Sequence, residues 1–254
     1  MANFTKEYAS YSEAVKACQT ETPYQDQDLL ECILAKTKRY LSADAKVLSP
    51  YEVSLFVFLS LLQGKSQSKI LNVIDVGGAC GMHYFQVRKV LPKNIRLRWK
   101  VVETPGMVRV ASELTNDELS FHDDLKAAVA DNVVDGVFLS GLLQCCEKPW
   151  KMLSNILSVG AEVLGIYRVG CCKGDKDYLT VQDSRLSTNG PGELPEGFED
   201  RIVKYPYYIL SEEILFALLL KKYECAAVWD DGSKCIGGPQ LAYSGFSGCF
   251  ALKR

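Results

Sequence analysis

A glycine-rich turn between a predicted strand and a predicted helix carries the clearest chemistry in this sequence. The apolar run 70–76 contains Asp75 and leads directly into Gly77, Gly78 and Gly81. Glycine lets the backbone turn tightly and lets a ligand approach where a Cβ atom would collide. The N-terminus of the following helix offers free N–H groups to an anion. Because an acid stands beside the glycines, the turn also suits a ligand that carries a positive charge.

This turn lacks the spacing of two common nucleotide-binding motifs. Dinucleotide-binding sheets use G-x-G-x-x-G, and P-loops use G-x-x-x-x-G-K-[ST]. Neither pattern fits the sequence Gly-Gly-Ala-Cys-Gly at 77–81. An NAD-dependent oxidoreductase or epimerase is therefore disfavoured but is kept as an alternative, which titration with NAD would test.

Side chains at the ends of the next predicted strands could complete a ligand site. Glu103 ends the second strand, where a carboxylate can accept hydrogen bonds from both hydroxyls of a ribose. Asp123 follows the third strand and could accept an adenine amino group or cap the next helix. Ligands bind at the carboxyl ends of strands in open α/β sheets. The adenine could therefore be flanked by residues at the end of the fourth strand, namely Ser140, Leu142 and Gln144.

Three further residues could act on a bound acceptor. His83 lies at the start of the helix after the glycine turn, where the positive dipole end favours a neutral base over an imidazolium. Its alternative is a surface or capping role. Arg168 could hold a carboxylate or a phosphate, or it could form an ion pair with a nearby acid. Asp177 is a second candidate base, and its alternative is a solvated loop residue.

Hydrophobic patterning places these residues on alternating strands and helices. The predicted strands are 70–76, 97–103, 119–121, 136–140, 163–169, 225–229 and 245–252. Helical segments separate the first five strands, which favours a parallel sheet with helices on both faces. No helix separates the last two strands, so they should pair antiparallel. We predict an α/β, Rossmann-like sheet of seven mostly parallel strands, with an antiparallel final strand and an N-terminal helical extension.

Two segments depart from this alternation. Residues 1–68 show helical periodicity, and their last helix is expected over 51–63, ending at Gly64. Residues 170–208 are rich in Gly, Pro, Asp and Lys, which predicts a long loop above the sheet. The predicted organisation is a helical cap of residues 1–68 and a main domain of residues 69–254, with a lid-like insertion at 170–208.

Composition disfavours several classes of function. The net charge of −2 gives no basic excess for nucleic acid. The most apolar stretch, residues 53–62, is too short to span a bilayer, and the N-terminus lacks a signal-peptide pattern. Ten cysteines without C-x-x-C spacing and two histidines predict no metal site. Reduced thiols in a cytoplasmic protein are the expected state.

The sequence resembles class I S-adenosylmethionine-dependent methyltransferases that are encoded among bacterial surface-polysaccharide genes. The resemblance extends over nearly the whole chain and includes the loop, where Ala79 replaces the family's usual middle glycine. It is also carried by the segments 11–14, 84–92, 101–105, 139–144, 147–150, 177–182 and 205–211.

This resemblance implies S-adenosylmethionine as cofactor and residues 69–254 as the methyltransferase domain. The expected reaction is methyl transfer to an oxygen of a small polar acceptor that is anionic or sugar-linked, such as a sugar nucleotide or glycan precursor. A non-catalytic protein that binds S-adenosylmethionine is the alternative, because fold alone does not fix function. Neither nucleic acid nor a membrane is an expected partner, and a homodimer is compatible with the sequence.

Overall fold

The computed structural model describes residues 2–4, 6–19, 24–42, 50–66, 70–130, 133–230, 232, 235–237 and 243–253. Eight α-helices lie in these ranges: α1 (Tyr11–Cys18), α2 (Gln27–Ser42), α3 (Pro50–Lys65), α4 (Met82–Val90), α5 (Pro105–Ala111), α6 (Leu125–Val129), α7 (Pro149–Val159) and α8 (Glu212–Leu219). The same ranges hold eleven strands: β1 (Ala2–Phe4), β2 (Ile70–Val76), β3 (Arg96–Val102), β4 (Leu119–His122), β5 (Gly136–Ser140), β6 (Val163–Cys172), β7 (Tyr178–Arg185), β8 (Ile202–Ser211), β9 (Tyr223–Asp230), β10 (Cys235–Gly237) and β11 (Tyr243–Leu252).

Seven of the described strands form a doubly wound sheet in the order β4-β3-β2-β5-β6-β11-β9. The pairs from β4 to β6 are all parallel. β11 runs antiparallel to both β6 and β9. This confirms the predicted Rossmann-like sheet with its antiparallel final strand. The chain winds outward in opposite directions from β2 and β5, so a crevice for ligands is expected at the carboxyl ends of these two strands.

Hydrophobic side chains pack on both faces of this sheet. On one face, Phe58 and Leu62 of α3 pack with Val73 of β2 and with other apolar side chains of β3 and β5. On the other face, side chains of α7 and α8 pack against the sheet. α3 continues past Gly64 to Lys65, so the prediction that the helix ends at Gly64 is wrong. The helical hydrogen bond from Ser66 N to Leu62 O (2.9 Å) accounts for the one additional residue.

The segment 170–208 is not the loop that its composition predicted. β7 and β8 within it pair antiparallel from Tyr178 opposite Ile209 to Arg185 opposite Ile202. The glycines and prolines that suggested a loop are concentrated in the segments 173–177 and 186–201, which precede and follow β7. The paired residues of β7 and β8 are mostly β-branched, aromatic or aliphatic. The hairpin also joins the main sheet, because the end of β6 pairs parallel with the end of β8.

The N-terminal helices α1 and α2 pack on this hairpin, and we call the three elements together the cap layer. Ala14 and Cys18 of α1 pack against Leu179 and Val181 of β7. Side chains of α2 form a second cluster with the hairpin, which comprises Leu29, Cys32, Leu186, Val203 and Tyr205. The cap layer is therefore held together by its own apolar contacts.

Helix α2 also reaches the glycine turn of the main sheet. Its Leu30 packs against Cys80 in the turn and against Met107 and Ala111 of α5. One helix thus contacts both the hairpin and the segments that follow β2 and β3. None of the helices in the described part of the chain is long and apolar enough to cross a membrane.

Candidate functional site

The turn after β2 keeps the tight shape that its glycines predict. Gly77, Ala79 and Gly81 have φ angles of 75°, 48° and 74°. The φ of Gly77 favours glycine, and a Cβ atom there would lie 2.9 Å from Leu142 Cδ1, so the leucine side chain would have to shift. Ala79 adopts a left-handed conformation although it carries a Cβ atom, which costs about 1–2 kcal/mol. Ala79 therefore holds a backbone conformation that normally favours glycine.

Asp75 lies beneath this turn and is 0% exposed. Its Oδ2 accepts hydrogen bonds from Trp99 Nε1 (3.1 Å) and from His83 Nδ1 (2.9 Å). A Cβ atom at Gly78 would collide with the same carboxylate, so glycine lets the turn close over it. The structure thus places Asp75 beside the loop, as expected, but turns its charge inward. Sequence reasoning missed Trp99 as its partner.

Glu103 follows β3, and its carboxylate lies between the glycine turn and the residue before α5. Its Oε1 accepts a hydrogen bond from Ala79 N (3.1 Å), and its Oε2 accepts one from Thr104 N (2.7 Å). Burial raises the pKa of the Glu103 carboxyl above its ordinary value, against the two backbone hydrogen bonds, and the nearby Asp75 charge raises it further. Each oxygen keeps a second lone pair for another donor. The carboxylate is therefore fixed in position and can still accept hydroxyl groups.

Asp123 lies at the neighbouring strand end and is exposed. β4 pairs with β3 so that His122 lies beside Val102, which brings Asp123 level with Glu103 in the register. The cap of α6 is Asp124, whose side chain accepts a hydrogen bond from Ala127 N at 2.8 Å. The capping role considered for Asp123 therefore belongs to its neighbour.

Arg168 occupies a β-bulge in the middle of β6, one residue beyond the point where the neighbouring β5 ends. The register of β6 with β11 shifts here, so that Ser247 stands opposite two residues. Arg168 has a φ of 54°, and its Nε donates to Ser140 Oγ at 2.8 Å. Ser247 Oγ accepts from Arg168 N at 3.1 Å, which fixes the bulge. A charged guanidinium is thereby oriented at the edge where β5 ends.

The residues predicted to flank an adenine take different positions. Ser140 accepts the hydrogen bond from Arg168. The Leu142 side chain lies over Gly77, where it can border a ligand in the turn. Gln144 is 5% exposed, and its Nε2 donates to Arg168 O at 2.7 Å. Gln144 therefore braces the bulge and does not present its amide at the surface.

Asp177 holds structural elements together. Its Oδ2 accepts a hydrogen bond from Trp150 Nε1 (2.6 Å) in α7, and its Oδ1 accepts one from Ser211 N (2.7 Å) at the start of α8. Ser211 caps α8, because its Oγ accepts from Ile214 N at 3.1 Å. The contacts of Asp177 are those of a clamp, and they do not join it to His83.

A pair of tyrosines, Tyr24 before α2 and Tyr205 in β8, borders the same region. The sequence suggests Tyr205 for a sugar-binding wall or for packing, whereas Tyr24 was not identified from the sequence. The rings of Tyr24 and Tyr205 stack with centroids 4.3 Å apart. Their hydroxyls donate to Pro206 O (2.9 Å) and Asn189 Oδ1 (3.1 Å). Tyr205 is buried and Tyr24 is partly exposed, so the outer face of Tyr24 is the part of this pair that can contact a ligand.

Cys145 lies near both the tyrosine pair and the charged residues at the strand ends. Burial raises the pKa of its thiol to about 11, while the Tyr24 hydroxyl and the Arg168 guanidinium act in the opposite direction and Glu103 raises it further. The thiol thus lies within electrostatic reach of both Arg168 and Glu103. At such a pKa it stays protonated near neutral pH and is a poor nucleophile. Within the described residues no group of three or more His, Cys, Asp or Glu is arranged to hold a metal ion.

No family model matches the chain, and no curated protein matches its sequence. Its fold is similar to that of an S-adenosylmethionine-dependent methyltransferase from Clostridium acetobutylicum ATCC 824, with 9% identity over 82% of this chain and 93% of that chain, and a TM-score of 0.47. It is also similar to CalS10, an amino pentose methyltransferase from Micromonospora echinaspora solved with S-adenosylmethionine bound (12% identity, 81% and 92% coverage, TM-score 0.48). A third similar structure is magnesium protoporphyrin IX methyltransferase from Synechocystis PCC 6803 (12% identity, 89% and 97% coverage, TM-score 0.46). The fold is assigned from the strand order and not from these similarities. The resemblance to surface-polysaccharide methyltransferases stays a prediction.

Proposed function

We propose that this chain is a class I S-adenosylmethionine-dependent methyltransferase that transfers a methyl group to an oxygen of a small polar acceptor. The observation that carries the proposal is the Glu103 carboxylate, which Ala79 N and Thr104 N fix across the mouth of the glycine turn. It stands at the carboxyl end of β3, next to the switch point between β2 and β5, in a sheet whose final strand is antiparallel, which is the topology of this enzyme class.

The residues around the turn fit this cofactor. Gly77 and Gly81 supply the positive φ angles that shape the turn, and the N-terminus of α4 would suit the methionine carboxylate. Glu103 would accept the ribose hydroxyls, while Asp123 and Leu142 would border the adenine. The bound cofactor supplies an activated methyl group on a sulfonium. The chain contributes orientation and exclusion of water, which are its main means of accelerating an in-line displacement.

The acceptor site we propose lies between Arg168 and the tyrosine pair. Arg168 is oriented by Ser140 at the carboxyl edge and would hold a carboxylate or a phosphate. Tyr24 is partly exposed and stacks on the buried Tyr205, so its outer face could contact a sugar ring or another flat ring. A sugar-linked anion, such as a sugar nucleotide or glycan precursor, combines both features. The nine cysteines whose side chains the structure describes are free, which favours action in a reducing compartment such as the cytoplasm.

His83 is the proposed general base for a hydroxyl acceptor. It lies in the first turn of α4, next to the cofactor loop. A positioned base typically contributes about 10²–10⁴-fold to a proton transfer.

Calorimetric titration with S-adenosylmethionine, S-adenosylhomocysteine and NAD tests the proposal. We expect both sulfur compounds to bind and NAD to give no heat. Sugar nucleotides and phosphorylated sugars are then screened with the labelled cofactor, and methylated products are detected by mass spectrometry. Binding of NAD without S-adenosylmethionine would favour the oxidoreductase alternative. Cofactor binding without transfer to any acceptor would favour a non-catalytic role.

A further inference from the structure

We infer that Asp75 is a positioning residue for His83, whose ring it holds in the tautomer that leaves Nε2 free of a proton. This inference rests on the proposed methyl transfer and deepens it. It gives Asp75 a different role from the cofactor contact that its sequence position predicts, because its carboxylate is turned away from the ligand side of the loop.

The hydrogen-bonding geometry fixes which ring nitrogen carries the proton. His83 Nδ1 lies 2.9 Å from Oδ2 and 3.2 Å from Oδ1 of Asp75. An ionised carboxylate can only accept hydrogen bonds, so Nδ1 must donate. In a neutral imidazole the other nitrogen, Nε2, then keeps its lone pair. Trp99 Nε1 donates to Oδ2 from the opposite side at 3.1 Å and holds the carboxylate in place.

Burial places the proton-accepting edge of the ring away from the carboxylate. The Asp75 side chain is 0% exposed, whereas the His83 side chain is 19% exposed. Because Nδ1 points at a fully buried group, the accessible part of the ring lies toward its other edge, which carries Nε2. Phe138 packs edge-on against the ring with centroids 4.8 Å apart, which limits its rotation.

The charges around His83 come from few groups. Among the described titratable side chains, Asp75 on β2 is hydrogen-bonded to the ring, and Glu103 interacts with Asp75 across the turn. Trp99 on β3 and Phe138 on β5 complete the contacts and carry no charge. The carboxylate of Asp75 is therefore the group that would stabilise an imidazolium.

The proposed step balances in atoms and charge. An acceptor hydroxyl gives its proton to His83 Nε2 as its oxygen bonds to the methyl carbon. The carbon–sulfur bond breaks, and its electron pair goes to sulfur. The positive charge lost from the sulfonium reappears on the imidazolium beside Asp75, and solvent then removes the proton.

The variant Asp75→Asn tests this role. The introduced amide would accept from Trp99 Nε1 through an oxygen at the Oδ2 position and would place its NH₂ group at the Oδ1 position, 3.2 Å from His83 Nδ1. The negative charge that holds the proton on Nδ1 is then lost, and the NH₂ group favours a proton on Nε2. We expect kcat to fall by about 10²–10⁴-fold, as general-base losses do, while the affinity for S-adenosylmethionine stays within about threefold. The acidic limb of the kcat profile should move to lower pH, because an amide stabilises an imidazolium less than a carboxylate does. The double variant with His83→Ala should lose little more than either single variant.

Asp135→Asn is the matched control. Asp135 precedes β5 at the opposite, amino end of the sheet, where its Oδ2 accepts hydrogen bonds from Asn72 N (2.7 Å) and Nδ2 (3.0 Å). It should affect stability without moving the pH profile. Weakened cofactor binding in Asp75→Asn with normal kcat at saturation would overturn the inference, and so would a kcat loss with an unmoved pH profile.

Nitrogen-15 NMR of the wild-type ring keeps the inference testable if Asp75→Asn does not fold. We expect the neutral ring of His83 to carry its proton on Nδ1, and a proton on Nε2 would overturn the assignment. Failure of the wild-type protein to bind S-adenosylmethionine would instead refute the proposed function, whatever the tautomer.

Discussion

At the scale of single residues, Glu103 is the side chain whose removal should most directly change cofactor binding. Replacing it by Ala removes the acceptor proposed for the ribose hydroxyls, together with the partner of Ala79 N and Thr104 N. We expect the affinity for S-adenosylmethionine to fall by about 1.5–3 kcal/mol. Calorimetry measures this loss against Glu113→Ala, which removes an exposed ion pair with Lys38 (2.7 Å). Equal affinities in the two variants would contradict the ribose assignment.

The ionisation of Glu103 gives a second readout of the same contact. Burial raises the pKa of this carboxyl above 4.5. A protonated carboxyl accepts hydrogen bonds less well than a carboxylate, so ligand binding should favour the anion and release a proton. Affinity should therefore rise as the pH increases through the raised pKa and level off above it. The Glu103→Gln variant should lose this rise.

The residue types at strand ends could be predicted from the sequence, but their partners could not. The glycines, Glu103 and Asp123 follow directly from where apolar runs stop, because parallel strands end at one edge. The bonds of Asp75 to Trp99 and His83 depend on side-chain rotamers that periodicity does not specify. Gln144 was expected to border the adenine, yet it turns inward to brace a bulge that local pattern does not reveal.

At the scale of secondary-structure elements, the sequence pattern predicts the buried parallel strands best and the elements of the cap layer worst. β2 and β5 have the bounds that their apolar runs predict. β7 and β8 were hidden because polar, glycine-rich connections flank them and dominate the average composition of 170–208. β1 spans three residues, which is too short for any periodicity to show. Its pairing with β7 depends on contacts that are distant in sequence.

Helix α3 offers a direct test of element stability. Gly64 lies inside the helix, and a Cβ atom there would meet nothing within 4 Å. Gly64→Ala should therefore stabilise the protein by about 0.5–1 kcal/mol, because alanine loses less backbone entropy on folding. Thermal unfolding should show a Tm increase of about 1–4 °C.

Gly160→Ala is the control for that substitution. Gly160 also has open space around its Cβ position, but it ends α7 with a φ of 69°. Alanine in this left-handed conformation should destabilise the protein by about 1 kcal/mol. Changes of the same sign in both variants would contradict the helical assignment of Gly64.

At the scale of the whole molecule, helix α2 couples the hairpin to the cofactor loop. Leu30 packs against Cys80 and Met107. From the same helix, Lys36 is 1% exposed and donates to Ser187 O (2.6 Å) and Asn189 O (2.8 Å) in the turn after β7. Burial lowers the pKa of Lys36, since no described carboxylate is hydrogen-bonded to its ammonium. A cofactor that orders the glycine loop should therefore also order the cap layer through α2.

Lys36→Met tests this coupling. The substitution keeps the apolar stem but leaves two carbonyls without their donor, which should weaken the contact by about 1–3 kcal/mol. Hydrogen exchange of residues 186–201 should become faster in the free protein, while exchange in β2 and β3 stays unchanged. In the wild type, S-adenosylmethionine should slow exchange in both α2 and residues 186–201, and in Lys36→Met it should slow exchange in α2 alone. Lys38→Met is the matched control, because Lys38 lies on the same helix in an exposed ion pair with Glu113. Identical exchange in the two variants would show that the hairpin is held independently of α2.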